Sequence, residues 1–218
     1  MGLPQTARTS TAFSMSDRRI LFLSSIIGFV AGYAGSQMPH TLPFARTALE
    51  LSEGNMSAVF AAVRAVSLLG VLFSMAADTG GRKRPILAAY SVLLIASLGT
   101  ALIPSVAAYV ATQAIVRVAV VAIAALMLVL IAEELQPGVR ALGIGFFGLA
   151  GSLGVGLGLL LLPIAESNDS AWRVLFALSG LGLLFVPLLM RYLPESRAFV
   201  PAPRIPFIKA LGMGLSKH

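Results

Sequence analysis

The chain of 218 residues has no cysteine, so disulfides, thiolate zinc sites and cysteine nucleophiles are all excluded. Histidine is almost as scarce: His40 and the final residue His218 are the only two, and neither has the neighbouring ligands that a metal site needs. Charge is thin as well, at 11% of residues, where soluble domains carry about a quarter. By contrast 57% of residues are hydrophobic and the mean hydropathy is +0.90, which excludes a soluble globular domain. The net charge of +7 does not point to nucleic acid. The cations lie in loops between apolar runs, without a continuous basic helix or an aromatic-rich reading surface. They read instead as a rim facing the anionic headgroups of a lipid bilayer. Carboxylates are missing from every apolar run. Gly151-Ser152-Leu153-Gly154 superficially resembles a nucleophile flanked by glycines, but no membrane histidine or buried aspartate pair accompanies it, so an intramembrane hydrolase is not supported. The pattern calls for no enzyme chemistry, metal or cofactor.

What is present is a set of six apolar runs, each close to the about 20 residues that cross a bilayer core of roughly 30 Å as a helix. They predict an all-α, polytopic membrane protein. A polar N-terminal tail covers residues 1–17 and a six-helix transmembrane bundle covers 18–197. A cytoplasmic linker or tail, carrying Pro201, Pro203 and Pro206, covers 198–218. Pro39 and Pro43 are expected to end the first helix. Ile103-Pro104-Ser105 makes a short outer turn into the fourth. The fifth is expected from Ala141 to about Ile164, and its glycines allow close helix packing, or else bending. The sixth is expected to reach about Tyr192, where Leu193-Pro194-Glu195-Ser196-Arg197 stops it. Between the second and third lies the basic hinge Asp78-Thr79-Gly80-Gly81-Arg82-Lys83-Arg84. Short basic loops stay in the cytoplasm. Sorting charges on that basis places Arg8, Arg18, Arg19, Arg82, Lys83, Arg84, Arg140, Arg191, Arg197, Arg204, Lys209 and Lys217 inside, and only Arg46 and Arg173 in outer loops. Both termini are then cytoplasmic, in a plasma (inner) membrane.

Four stretches in register resemble the major facilitator superfamily of secondary transporters, specifically its first six helices. The family motif between helices two and three is Gly-x-x-x-Asp-Arg-x-Gly-Arg-Arg/Lys. Ser74-x-x-x-Asp78-Thr79-Gly80-Gly81-Arg82-Lys83 matches its aspartate, second glycine and basic pair, and departs at Ser74 and Thr79. Arg117 matches an arginine on helix four, although Val121 replaces the usual later glycine. Glu133…Pro137…Arg140 resembles the stretch entering helix five. Pro194-Glu195-Ser196 resembles the motif closing helix six in the sugar-porter and related metabolite-transporter branches.

The resemblance implies the N-terminal bundle of such a transporter, a 3+3 inverted repeat. It implies secondary active transport of a small solute (a sugar or organic acid-like metabolite) by alternating access. It further implies a gating set of Asp78, Gly81, Arg82, Lys83, Glu133, Arg140 and Glu195, whose charges break and reform a network at the inner rim. A solvated loop whose positive charge serves topology alone is the plainer alternative. The solute site of the family lies between two halves near the midplane, so this chain needs a missing C-terminal six-helix half or a second copy of itself. A non-transporting, truncated module that binds a partner is the other reading.

Depth along the helices singles out a second group. Arg64 and Arg117 lie ~12 Å and ~17 Å from the outer ends of helices two and four. An arginine at a helix centre costs about 2.5–3.5 kcal/mol on the insertion scale, so it faces a cavity or a partner. Gln113 stands one turn from Arg117 on the same face, and Tyr33 and Gln37 reach a similar depth on helix one. Together these five form a candidate cavity for an anionic or hydroxyl-rich solute. Snorkelling for Arg64, and bonding to backbone carbonyls for Arg117, are the alternatives. Where many proton-coupled sugar porters have aspartate after Gly-Tyr on helix one, Gly32-Tyr33-Ala34 has alanine, which leaves the coupling ion open.

Overall fold

The apolar runs become six helical rods in the computed structural model, which describes residues 14–48, 52–70 and 81–196. Asp78 and Gly80 of the basic hinge lie outside the described residues. The first rod, α1 (Met15–Ala48), is 34 residues long. A capping box starts it: the Asp17 N–H donates to Ser14 Oγ (3.1 Å) and the Ser14 N–H donates to Asp17 Oδ2 (2.9 Å). The rod thus begins at Met15, inside the stretch expected to be tail.

Pro39 and Pro43 do not end α1 but lie within it. Each removes one backbone donor from the helical ladder. Side chains of the same stretch satisfy nearby carbonyls: Ser36 Oγ and Gln37 Nε2 donate to Tyr33 O, and Thr41 Oγ1 donates to Gln37 O. These bonds do not reach the Gly35 and Pro39 carbonyls that the two prolines leave without a helical donor, so α1 continues through its prolines with no side-chain substitute at those positions among the described residues.

α2 (Glu53–Val66) and α3 (Lys83–Thr100) follow. α4 (Val106–Glu134) opens on Ser105, whose side chain accepts from the Ala108 N–H. α5 (Arg140–Leu160) was expected to run unbroken to about Ile164; it stops at Leu161, and the short α6 (Leu162–Ala165) completes the rod. Pro163 has no N–H with which to continue the ladder. The sixth rod is also divided, into α7 (Trp172–Ser179), a tight stretch at Gly180–Phe185 and α8 (Val186–Tyr192). Pro187 cannot donate to the Leu183 carbonyl, and the Val186 N–H takes that acceptor at the closer spacing of a 3-10 turn.

Among the described residues, four rods are long and apolar enough to cross a bilayer: Met15–Ala48, Val106–Glu134, Pro137–Ala165 and Trp172–Tyr192. Burial ranks them. The apolar part of α1 is 67% buried and that of α5–α6 only 17%, so α1 is the axis of the bundle and α5 lies at its edge. Exposed Leu142, Phe146, Leu149, Leu153 and Leu160 line that edge, as suits a surface solvated by lipid chains.

Glycine sets the α1–α5 distance. A Cβ on Gly32 would lie 2.1 Å from Gly151 O, and one on Gly154 would lie 2.0 Å from Phe29 O. The two backbones touch because neither residue has a side chain there. The other α5 glycines divide: Gly145, Gly148 and Gly156 meet nothing within 4 Å.

Two apolar clusters fill the bundle. One holds Ile27, Leu93, Ile123, Met127 and Leu189. The other gathers at the opposite end around Tyr109, Trp172 and Phe176. These three rings meet edge to face at 5.9–6.3 Å between centroids, the arrangement their quadrupoles favour.

Candidate functional site

The first candidate site lies at the end where α1, α3 and α5 begin, termed here the basic rim. Gly81 has φ +87°, a left-handed conformation that glycine adopts without a steric penalty. A Cβ there would stand 2.7 Å from the carboxyl carbon of Glu195. The turn therefore needs glycine twice over, for its backbone angle and for room. Beyond it, the backbone N–H groups of Arg82 and Lys83 donate to Glu195 Oε1, the second at 3.0 Å. A carboxylate from beyond α8 thus caps the N-terminus of α3, where unpaired N–H groups and the helix dipole favour negative charge.

The Arg82 side chain turns the other way. Its Nε and Nη2 donate to Glu133 Oε2 (3.3 Å) and Oε1 (3.1 Å), a two-point contact with α4. The paired side chains are only 15% and 21% exposed, so the pair is better shielded than an open surface ion pair. Ser196 Oγ donates to the same Glu133 carboxylate at 2.6 Å. Gly81, Arg82, Lys83, Glu133 and Glu195 therefore form one junction of α3, α4 and the segment after α8.

Arg140 stands outside this junction: its Nε donates to Leu135 O (3.0 Å), holding the end of α4. The spacing Glu133…Arg140 placed both on one rim but could not show that the guanidinium is drawn to a free helix-end carbonyl instead. Ser196 and Asp17 were missed as partners. Buried Asp17 accepts from Gln136 Nε2 at 3.2 Å and so ties the start of α1 to the α4–α5 turn. The spacing Ser14-x-x-Asp17 was the signal available for it.

The second candidate site is a pocket of about 70 Å³ between α1, α2 and α4. Arg64, Gln113 and Arg117 line it with Gly35, Met38 and Val63, so three of the five cavity residues are brought together. Among the described residues, no acidic side chain lines it. Two guanidiniums on one small cavity repel each other and favour an anion or a strong acceptor between them. Gln113 is buried and its Nε2 donates to Thr100 Oγ1 (2.9 Å), which contacts Thr112 Oγ1 (3.0 Å). These two threonines were not anticipated.

Tyr33 and Gln37 are not in this pocket. The Tyr33 hydroxyl donates to Leu175 O (2.9 Å), and Gln37 Nε2 donates to Tyr33 O. Tyr33 instead borders an apolar cleft of about 540 Å³ between α1, α5 and the sixth rod, with Phe29, Leu153 and Phe185. Helical phase is the reason. Residues 33, 37, 40, 44 and 47 make one stripe of α1, whereas Gly35 and Met38 lie on the side toward α2 and α4. Equal depth did not mean a shared face.

A third feature joins α3 to the sixth rod along its length. Arg173 Nη1 donates to Ala101 O (3.2 Å) and Ile103 O (2.8 Å), just past the C-terminus of α3. Midway, the Tyr90 hydroxyl donates to Gly182 O at 3.0 Å. With Glu195 at the other end, α3 is held by a cation at its negative pole and an anion at its positive pole.

The chain was compared with known proteins. The family model described as "Sugar (and other) transporter" matches residues 20–202. No curated protein matches. The bundle is similar to the major facilitator proton:xylose symporter XylE of E. coli, solved with 6-bromo-6-deoxy-D-glucose bound. That likeness has a TM-score of 0.72 at 22% identity, over 83% of this chain and 45% of that one. A D-xylose-proton symporter matches with a TM-score of 0.72 at 20% identity, over 93% and 53%. The human organic anion transporter MFSD10 matches with a TM-score of 0.67 at 18% identity, over 92% and 54%. The chain thus spans about half the length of the solved transporters it resembles. Fold and family are those of multi-pass membrane transporters, not of enzymes. With most of its length under one family model, the chain belongs to the Sugar (and other) transporter family.

Proposed function

We propose that the chain is the N-terminal six-helix half of a secondary transporter that moves a small solute, a sugar or organic acid-like metabolite, by alternating access. The basic rim is cytoplasmic, both termini lie on that side, and the bilayer is the plasma (inner) membrane. The solute binds against the Arg64–Gln113–Arg117 pocket. That pocket is too small for a sugar by itself, and it becomes a full site when a second six-helix half, or a second copy of the chain, covers it. Gly81, Arg82, Lys83, Glu133 and Glu195 form the cytoplasmic gate, Asp78 belongs to it by its place in the motif, and Arg140 holds the rim in shape.

One observation carries this reading: among the described residues, Arg64 and Arg117 share a cavity with Gln113 and with no carboxylate. Arg117 is partly buried and Arg64 is exposed on the open side of the pocket, so two cations with no carboxylate between them among the described residues leave a place for an anionic or acceptor-rich ligand. The similarity to xylose and organic anion transporters suits a solute rich in acceptor oxygens. The test is uptake of labelled pentose, hexose and monocarboxylate into vesicles holding the chain with its second half. Arg117→Ala is expected to cut uptake of the accepted solute at least about tenfold. Unchanged kinetics would take Arg117 out of the solute path.

A further inference from the structure

The apolar cleft of about 540 Å³ between α1, α5 and the sixth rod takes no part in the arginine pocket, and it has the shape of a groove. Val30, Tyr33 and Ala150 form a floor that is 5–8% exposed, and Phe22, Leu153, Leu181 and Phe185 form lips that are 39–61% exposed. Of the lining side chains only Ser25, Tyr33 and Ser179 carry an oxygen, and the Tyr33 hydroxyl already donates to Leu175 O. No charged side chain among the described residues lines it. A hydroxyl-rich or anionic solute would leave its polar groups unpaired there, whereas a hydrocarbon chain fits. Along α1 the lining runs from Phe22 to Tyr33, eleven residues further on and ~16 Å away. That is about half of a ~30 Å hydrocarbon core, the depth of one leaflet. On α5 it continues at Leu157 and Leu161, beyond the level at which Gly154 meets Tyr33.

One end of the groove is charged. Arg18 lies four residues before Phe22 and seven before Ser25; Arg19 lies three before Phe22 and seven before Ile26. Those spacings put both arginines on the face of α1 that lines the groove, one turn beyond it at the basic rim. Both are exposed, and among the described residues no carboxylate pairs with either. Asp17 beside them is buried and bonded to Ser14 and Gln136. Exposed Arg191 ends the sixth rod at the same rim, its guanidinium 5.4 Å from the Tyr192 ring centroid. The rim end of the groove is therefore positive on two of its walls. Long arginine side chains reach the headgroup level from such positions, where they attract anionic lipid. The proposed second half does not compete for this place, since it covers the side of α1 toward α2 and α4.

We propose that the groove is a site for one anionic phospholipid from the leaflet at the basic rim. An acyl chain lies between α1, α5 and the sixth rod, and Arg18 and Arg19 hold the headgroup phosphate, the anion that a guanidinium fork matches. A zwitterionic lipid offers the same chain, but its ammonium group offsets the attraction. The site depends on the chain crossing a bilayer and not on the solute it carries.

The experiment titrates the delipidated full chain in mild detergent with dioleoyl phosphatidylglycerol and with dioleoyl phosphatidylcholine, which share their chains, and counts bound lipids by native mass spectrometry. One phosphatidylglycerol per chain is expected to be held in preference to phosphatidylcholine. Arg18→Gln combined with Arg19→Gln is expected to lower that preference about thirtyfold, roughly fivefold for each cation near a headgroup. Arg84→Gln, at an exposed cation elsewhere on the same rim, should leave it nearly unchanged. Ser25→Phe and Ile26→Trp, which fill the groove, should weaken both lipids alike; helical circular dichroism shows which of them is folded, and either one suffices. Equal retention of the two lipids by the wild type would overturn the proposal. Equal losses in Arg84→Gln and Arg18→Gln would do so too, since diffuse rim charge would then hold the lipid. Unchanged binding in a folded groove-filling variant would place the lipid elsewhere on the surface and have the same consequence.

Discussion

Glu195 shows how much one side chain can decide. It lies past the end of the last helix, in a stretch with no regular structure, yet its carboxylate closes the first turn of α3. Gly81 makes the approach possible, since its positive φ and missing side chain leave the carboxylate its place. Gly81→Ala should therefore destabilise the bundle by about 1–2 kcal/mol, from left-handed strain plus the displaced cap. Thermal unfolding in detergent, with Glu195→Ala alongside, checks this. If the two act through the same contact, the double variant loses less than the two single losses added together. The residues of this junction stood out in the sequence by their types and order. Their pairing did not, because Glu195 meets Arg82 across more than a hundred intervening positions. Arg140 shows the converse, a rim cation whose bond runs to a backbone carbonyl.

For the helices, the deciding quantity is how closely two backbones approach. The glycine-rich α5 was legible as a packing helix, but not which of its glycines pack. Gly154 touches the backbone of α1, whereas Gly148 and Gly156 face open space. Gly154→Val is expected to force α1 and α5 apart and to cost about 2–3 kcal/mol, in the range of overpacked core sites. Gly148→Ala and Gly156→Ala should leave the chain's melting temperature nearly unchanged. Equal losses at all three positions would mean that the α1–α5 contact does not set the cost, since helix propensity favours alanine and valine over glycine. Proline misled for a related reason. Pro39 and Pro43 read as helix ends, yet α1 continues through both, held in the most buried rod of the bundle. Pro163 and Pro187, in the less buried rods, do interrupt them.

For the whole molecule, the proposed sides of the membrane rest on the charge pattern. Lys83→Cys introduces the chain's only thiol, and in intact cells it should resist a membrane-impermeant maleimide until the cytoplasmic face is opened. Labelling from outside would invert the topology and put the gate on the wrong side. At this scale the proposed second half would cover the open arginine pocket, and lipid suits the exposed apolar edge of α5. Co-expression with a candidate second half should then protect Arg64 and Arg117 substituted by cysteine from labelling, and the chain alone should not.

Composition, apolar run lengths and the bias of lysine and arginine were enough to determine a six-helix membrane bundle, because a bilayer leaves backbone polar groups few ways to be satisfied. Short motifs were enough to determine the family, because they lie at fixed places along the chain. Tertiary structure alone decided which side of α1 each polar residue joins. It placed Arg64, Gln113 and Arg117 on one pocket and turned Tyr33, Gln37 and His40 toward α5 and α7. The physical reason is helical phase: depth follows from counting residues, but the partner of a face depends on which helix packs there.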